Sequence, residues 1–134
     1  MNDIQAREQL EKTKLEAEVI LKDKDKLEDF LQQLEKKLKA FPAIGDKLAM
    51  VPVFVSLLRS YAKKEYTNIP VASIISIIGA LIYYLSPIDI IPDFLPGVGL
   101  ADDAAVVTVC LSFVKSDVDD YIQWREKNGK VIEN

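Results

Sequence analysis

The sequence predicts an all-α protein: a small helical bundle with an Asp/Pro/Gly loop between two apolar helices and an N-terminal amphipathic helical arm. Three observations predict it. Apolar residues in the first forty positions recur at three- and four-residue spacing, on a background of Glu, Lys and Gln, all good helix formers. Nowhere do apolar and polar residues alternate with period two, so no strand is expected. Prolines fall where helices would start or break.

The arm covers residues 1–41. Its seam runs Ala6, Leu10, Thr13, Ala17, Ile20, Lys24, Leu27, Leu31, Leu34, Leu38 and Phe41, with Thr13 and Lys24 as polar interruptions. "DKDK" at 23–26 is its weak point, where the arm is expected to divide into two helices. A coiled coil and an amphipathic helix lying on its own domain both fit the seam; its Ala and Thr favour the second. Either way, self-association or a protein partner through the arm is the expected interaction. "AFPAIGDKL" ends the arm, because Pro42 and Gly45 break helices.

A helical domain over 46–129 follows, and its apolar segments are expected to bury one another without the arm. Pro52 suits the first turn of a helix reaching about residue 64, with Phe54, Leu58 and Tyr61 on one face. Pro70 starts a helix to Leu85, "PVASIISIIGALIYYL", that is apolar all round. A last helix spans about 101–127. Ser116 with Asp119 resembles a capping box inside it and predicts a break there, and "KNG" ends it.

A chain of 134 residues with 49 % hydrophobic and 28 % charged residues can bury a core as one domain plus an arm. The net charge of −4, with no clustered cations, argues against nucleic acid as a partner. The absence of histidine removes the usual general base, the commonest zinc ligand and the usual pH switch. Cys110, inside "AVVTVCLSFV", reads as a small core residue. The N-terminus is charged from its third residue and lacks the apolar region of a signal peptide, so the expected compartment is cytoplasmic.

Residues 69–88 carry no charge, and about 20 apolar residues are what a bilayer requires. Arg59, Lys63 and Lys64 stand before this run and aspartates after it, in the sense of the positive-inside rule. Against a span, Ser73, Ser76 and Gly79 dilute the run. A return through 104–114 would cover only about half of the ~30 Å apolar layer. Lengthening it would draw in Asp102 and Asp103, each costing about 3 kcal/mol at mid-bilayer. The expected behaviour is membrane association without crossing, with the uncharged helix as a buried centre.

From 66 to 114 there is no basic residue, and the acids are Asp89, Asp93, Asp102 and Asp103. Each has a local reading as a helix cap. In "SPID", Ser86 suits the N-cap, Pro87 the first helical position and Asp89 the third. Pro92 limits that turn, Asp93 suits the start of another, and Gly97 and Gly99 suit a reversal before Asp102 and Asp103 open the last helix. Taken together, four carboxylates without a local cation also suit a hard divalent ion, with a divalent-cation-dependent enzyme or sensor as the alternative function. Capping is the favoured account, with no cofactor and no catalytic residues.

The stretch "YYLSPIDIIPDFLPGVGLADDAAVV" resembles the signature of the YkvA-like bacterial domain family, Y-L-x-S-P-I-D-L-I-P-D-F-I-P-x-x-G-x-x-D-D. The resemblance covers about 69–114 and is weaker back to Pro52; the arm lies outside it. By resemblance the signature positions are Ser86, Pro87, Asp89, Pro92, Asp93, Pro96, Gly99, Asp102 and Asp103, while Gly97 stands where a bulkier apolar residue is usual. The family carries no assigned activity and is associated with membranes. The expected function is a non-catalytic helical interaction module acting at or in the cytoplasmic membrane.

Overall fold

The fold is organised around a helix with no polar face. A computed structural model describes residues 3–40, 49–85 and 98–128. Those residues form five helices: α1 (Asp3–Lys22), α2 (Lys24–Ala40), α3 (Met50–Ala62), α4 (Val71–Leu85) and α5 (Val98–Lys127). No strand occurs among them, so the all-α prediction holds. α4 is uncharged, and it touches all four other helices. A helix apolar on every side must be covered on every side, and here the rest of the bundle does it. Ile74, Ile77, Ile78, Ala80 and Leu81 are fully buried, at about 2 kcal/mol for each large side chain removed from water.

The arm divides at Asp23, as "DKDK" suggests. The Asp23 amide still bonds the Ile20 carbonyl, closing α1, while its own carbonyl accepts the first bond of α2 from Leu27 at 2.9 Å. Its carboxylate accepts from the amides of Asp25 at 2.9 Å and Lys26 at 3.2 Å. One residue thus ends one helix and caps the next.

The arm's seam turns inward. Ala17, Ile20, Leu27, Leu31 and Leu34 join the same core as α3, α4 and α5, together with Phe30, which lies off the predicted seam. This is the arrangement of an amphipathic arm lying on its own domain.

The small residues of the seam have a use. A β-carbon on Gly79 would stand 2.7 Å from Thr13 Oγ1 and 3.8 Å from the Leu10 carbonyl, so the Thr13 hydroxyl occupies the place a side chain at 79 would need. Thr13 tolerates this apolar contact because its hydroxyl donates to the Leu10 carbonyl at 2.9 Å.

α3 begins within the predicted turn, with Pro52 in its first turn. It ends in a Schellman motif: the Glu65 amide bonds the Ser60 carbonyl at 2.9 Å, and the Lys64 amide bonds the Tyr61 carbonyl at 3.0 Å. Lys64 carries the left-handed φ of 61° that this motif needs and that glycine usually supplies. Beyond it, Tyr66 and Ile69 are buried before α4 starts.

Two expectations about α5 are corrected. It is continuous from Val98 to Lys127, without a break at Ser116. Asp119 is engaged one turn back by Lys115 at 3.1 Å, an exposed pair that stabilises helix rather than capping one. The helix also starts earlier than expected, so Gly99 lies inside it and does not make the reversal assigned to it. Asp102 and Asp103 consequently fall beyond the first turn, which holds no acid.

Three outcomes follow from the packing. Alanine has the better helix propensity by about 1 kcal/mol, yet Gly79→Ala is expected to lower stability in urea denaturation by about 1–2 kcal/mol, through overpacking against Thr13. Thr13→Ala should suppress that loss in the double variant, because the two β-carbons would stand 3.7 Å apart, an ordinary contact. Gly79→Ala as stable as the parent would contradict the close crossing. Lys64→Gly should raise stability by about 1 kcal/mol, with Lys64→Ala giving no such gain. Because the arm shares one core with the other helices, the expectation that 46–129 buries its own apolar segments is reversed: removal of residues 1–39 should abolish the cooperative thermal transition, and a retained transition would show that the remaining helices suffice.

Candidate functional site

Most of the signature lies outside the described residues: Ser86, Pro87, Asp89, Pro92, Asp93 and Pro96 fall in 86–97, which connects Leu85 of α4 to Val98 of α5. Gly99, Asp102 and Asp103 are helical residues of α5. Among the described residues no group of three or more His, Cys, Asp or Glu is placed to hold a metal ion.

The described structure shows what stands beside the end of α4 where the signature begins. The sequence shows no cation near the end of α4, but α2 brings one there. Lys37 donates from Nζ to the carbonyl of Tyr84, in the last turn of α4. It also lies 4.0 Å from the centroid of the Tyr84 ring. A cation there meets the negative end of the helix dipole and an aromatic face together. A cleft of about 310 Å³ opens nearby, lined by Ile20, Phe30, Ile82 and Leu85, with Glu16, Asp29 and Lys26 giving it mixed charge.

A larger groove, of about 500 Å³, runs between α1, α4 and α5. Leu10, Ala72, Ile75 and Phe113 give it an apolar lining; Arg7, Glu11, Lys14 and Ser76 give it polar groups. The Arg7 guanidinium sits 5.3 Å from the centroid of the Phe113 ring. Phe113 is 53 % exposed, although it stands in a run that reads as core. Sequence inspection misses this groove because three helices, far apart in the chain, each contribute one wall. The clue in the sequence is weak: Arg7, Leu10 and Lys14 lie within one side of α1.

Polar contacts tie the helices together elsewhere. Buried Ser73 of α4 donates to the Asp117 carboxylate of α5 at 2.6 Å. The Tyr121 hydroxyl, fully buried, meets Ser56 Oγ at 2.6 Å and Ser60 Oγ at 3.1 Å on α3, and accepts from Arg125 at 3.0 Å. Tyr66 and Trp124 pack on Tyr121, with ring centroids 5.1 Å and 5.9 Å away. Burial, then the charges of Asp120 and Asp117, raise the Tyr66 hydroxyl above its ordinary pKa, so it stays protonated.

Arg59 was one of the three cations set against a membrane flank. It is instead turned onto α2, where it bonds Glu28 and, at 2.5 Å, Glu35. Burial opposes its charge, but the bonds to Glu35 and Glu28 outweigh burial and raise its pKa. The Arg59 hydrogen bond holds the Glu28 carboxyl below its ordinary value.

None of these groups is an activated nucleophile. Cys110 is buried as expected, its thiol 3.4 Å from the Ser76 carbonyl and pushed up to about 12 by desolvation. No described helix is long and apolar enough to cross a membrane. α4, the most apolar, has 15 residues, about 22 Å at ~1.5 Å rise per residue against a ~30 Å core.

Comparison with known proteins agrees with the signature. The profile of a family described as "Protein of unknown function (DUF1232)" matches residues 73–109, from the first turn of α4 into α5. An "Uncharacterized membrane protein YkvA" of Bacillus subtilis is 32 % identical over 75 residues, covering 56 % of this chain and 71 % of that protein. No solved structure matches the chain. With the signature in sequence, a relative aligned over most of its own length, and two apolar helices flanking the signature, the chain belongs to the YkvA-like family of proteins of unknown function.

Proposed function

We propose that this protein is a non-catalytic helical module that docks on the cytoplasmic face of a membrane without crossing it. One observation carries the reading. The long uncharged stretch that could have entered lipid forms the centre of the bundle, and α1, α2, α3 and α5 all touch it. To expose α4 to a bilayer, the molecule would have to give up the core that defines the fold.

The membrane part of the reading draws support from the Bacillus subtilis relative, which bears the name of a membrane protein. It draws support also from the surface. Val71, at the start of α4, is 53 % exposed like Phe113. Arg7 and Lys14 border the groove that Phe113 helps to line. Exposed apolar groups beside cations are the composition of a surface that lies on, rather than in, an anionic membrane. The non-catalytic part draws support from chemistry: the buried thiol is inert, Tyr66 is held protonated, and the polar side chains between α3, α4 and α5 bond one another across helix contacts.

The test is fractionation of the full chain from cells. The protein is expected in the membrane pellet at low ionic strength, and in the supernatant after high salt or alkaline carbonate. Retention through both washes, with release only by detergent, would establish an integral protein and overturn the proposal.

A further inference from the structure

We propose that the groove between α1, α4 and α5 takes one anionic phospholipid, its phosphate held between Arg7 and Lys14 and the start of an acyl chain laid along Phe113, Ile75 and Leu10. The inference rests on the membrane-docking reading and gives it a site.

Charge complementarity selects the ligand. Arg7 and Lys14 lie two helical turns apart on α1, about 10 Å along its axis. Both line the groove, where Glu11 stands as the one acid against them. The net local charge is therefore positive, on a chain that is acidic as a whole. An anion is favoured here over the bulk of the surface, and two long cationic side chains bracket a phosphodiester of headgroup size.

The apolar lining narrows the anion to one with a hydrocarbon tail. Phe113 is half exposed while carrying the Arg7 guanidinium 5.3 Å from its ring centroid. A cation stacked on an exposed aromatic ring pairs charge with apolar surface, which an inorganic anion does not use and a lipid at the interface does. The space, about 500 Å³, suits a headgroup and the first part of a chain, not a folded partner.

The experiment is co-flotation of the purified full chain with vesicles of phosphatidylcholine alone and of phosphatidylcholine mixed with phosphatidylglycerol. Binding is expected only to the mixed vesicles, falling as salt is raised. The double variant Arg7→Glu/Lys14→Glu should bind more than about tenfold more weakly, because each cation near an anionic surface contributes separately. Phe113→Ser should weaken binding while leaving its salt dependence in place. As a charge-matched control, Lys36→Glu/Lys39→Glu on the exposed side of α2 should bind like the parent. Thermal melts of each variant establish that it folds.

Several results would overturn the site. If the groove variants float like the parent, or the α2 control loses as much as they do, docking stands but the groove is not its seat. If the parent floats with neither vesicle, the docking reading falls with the site. Saturable binding of water-soluble glycerol phosphate without vesicle binding would make the ligand a free anion. A dimer in light scattering that Phe113→Ser dissociates would make a second copy the occupant.

Discussion

Everything in this bundle follows from the closeness with which α1 crosses α4 at Thr13 and Gly79. Dispersion falls off steeply with distance, so a helix without a polar face is best covered by neighbours that approach nearly to backbone contact. Gly79 removes the side chain that would hold α1 away, and Thr13 and Ala17 keep the facing surface small. Once α1 is seated, Asp23 turns the chain after one residue and delivers α2 onto α3. There Arg59 meets Glu28 and Glu35, and Leu27, Leu31 and Leu34 complete the core.

Ser73 and the Tyr121 hydroxyl act as fasteners between helices, and both are hydrogen-bonded within the core. Ser73 finds Asp117, and Tyr121 finds two serines and an arginine. An unsatisfied buried hydroxyl would cost more than a bonded one contributes, so such contacts fix rotation more than they add stability. Their position matters. They join α3, α4 and α5, while α1 meets α4 through small residues at Thr13 and Gly79.

Much of this was legible in the sequence. The uncharged run before Leu85, the weak point at 23–26 and the core character of Cys110 rest on local composition, and the structure places them as read. The family signature was legible because its residues are contiguous. What escaped depends on partners distant in the chain. Lys37 reaches Tyr84 across 47 residues, and Ser56 meets Tyr121 across 65. Neither juxtaposition leaves a local periodicity. Phe113 stands half exposed beside a groove that an apolar run does not reveal, and the break expected at Ser116 failed because Lys115 engages Asp119 along the helix. The start of α5 escaped because Gly99 takes helical conformation, which its freedom permits but does not signal.

The part of the chain that matches the family profile contains α4 but not α1, and the face of α4 that bears Gly79 is closed here by the unmatched arm. In this chain the arm is thus the cover of a helix that lies within the profile. A segment that covers this flank has to offer a small surface where Thr13 meets Gly79. Where a bulky residue stands there instead, this crossing cannot form, and the exposed flank of the helix must be closed by a different element or by another molecule.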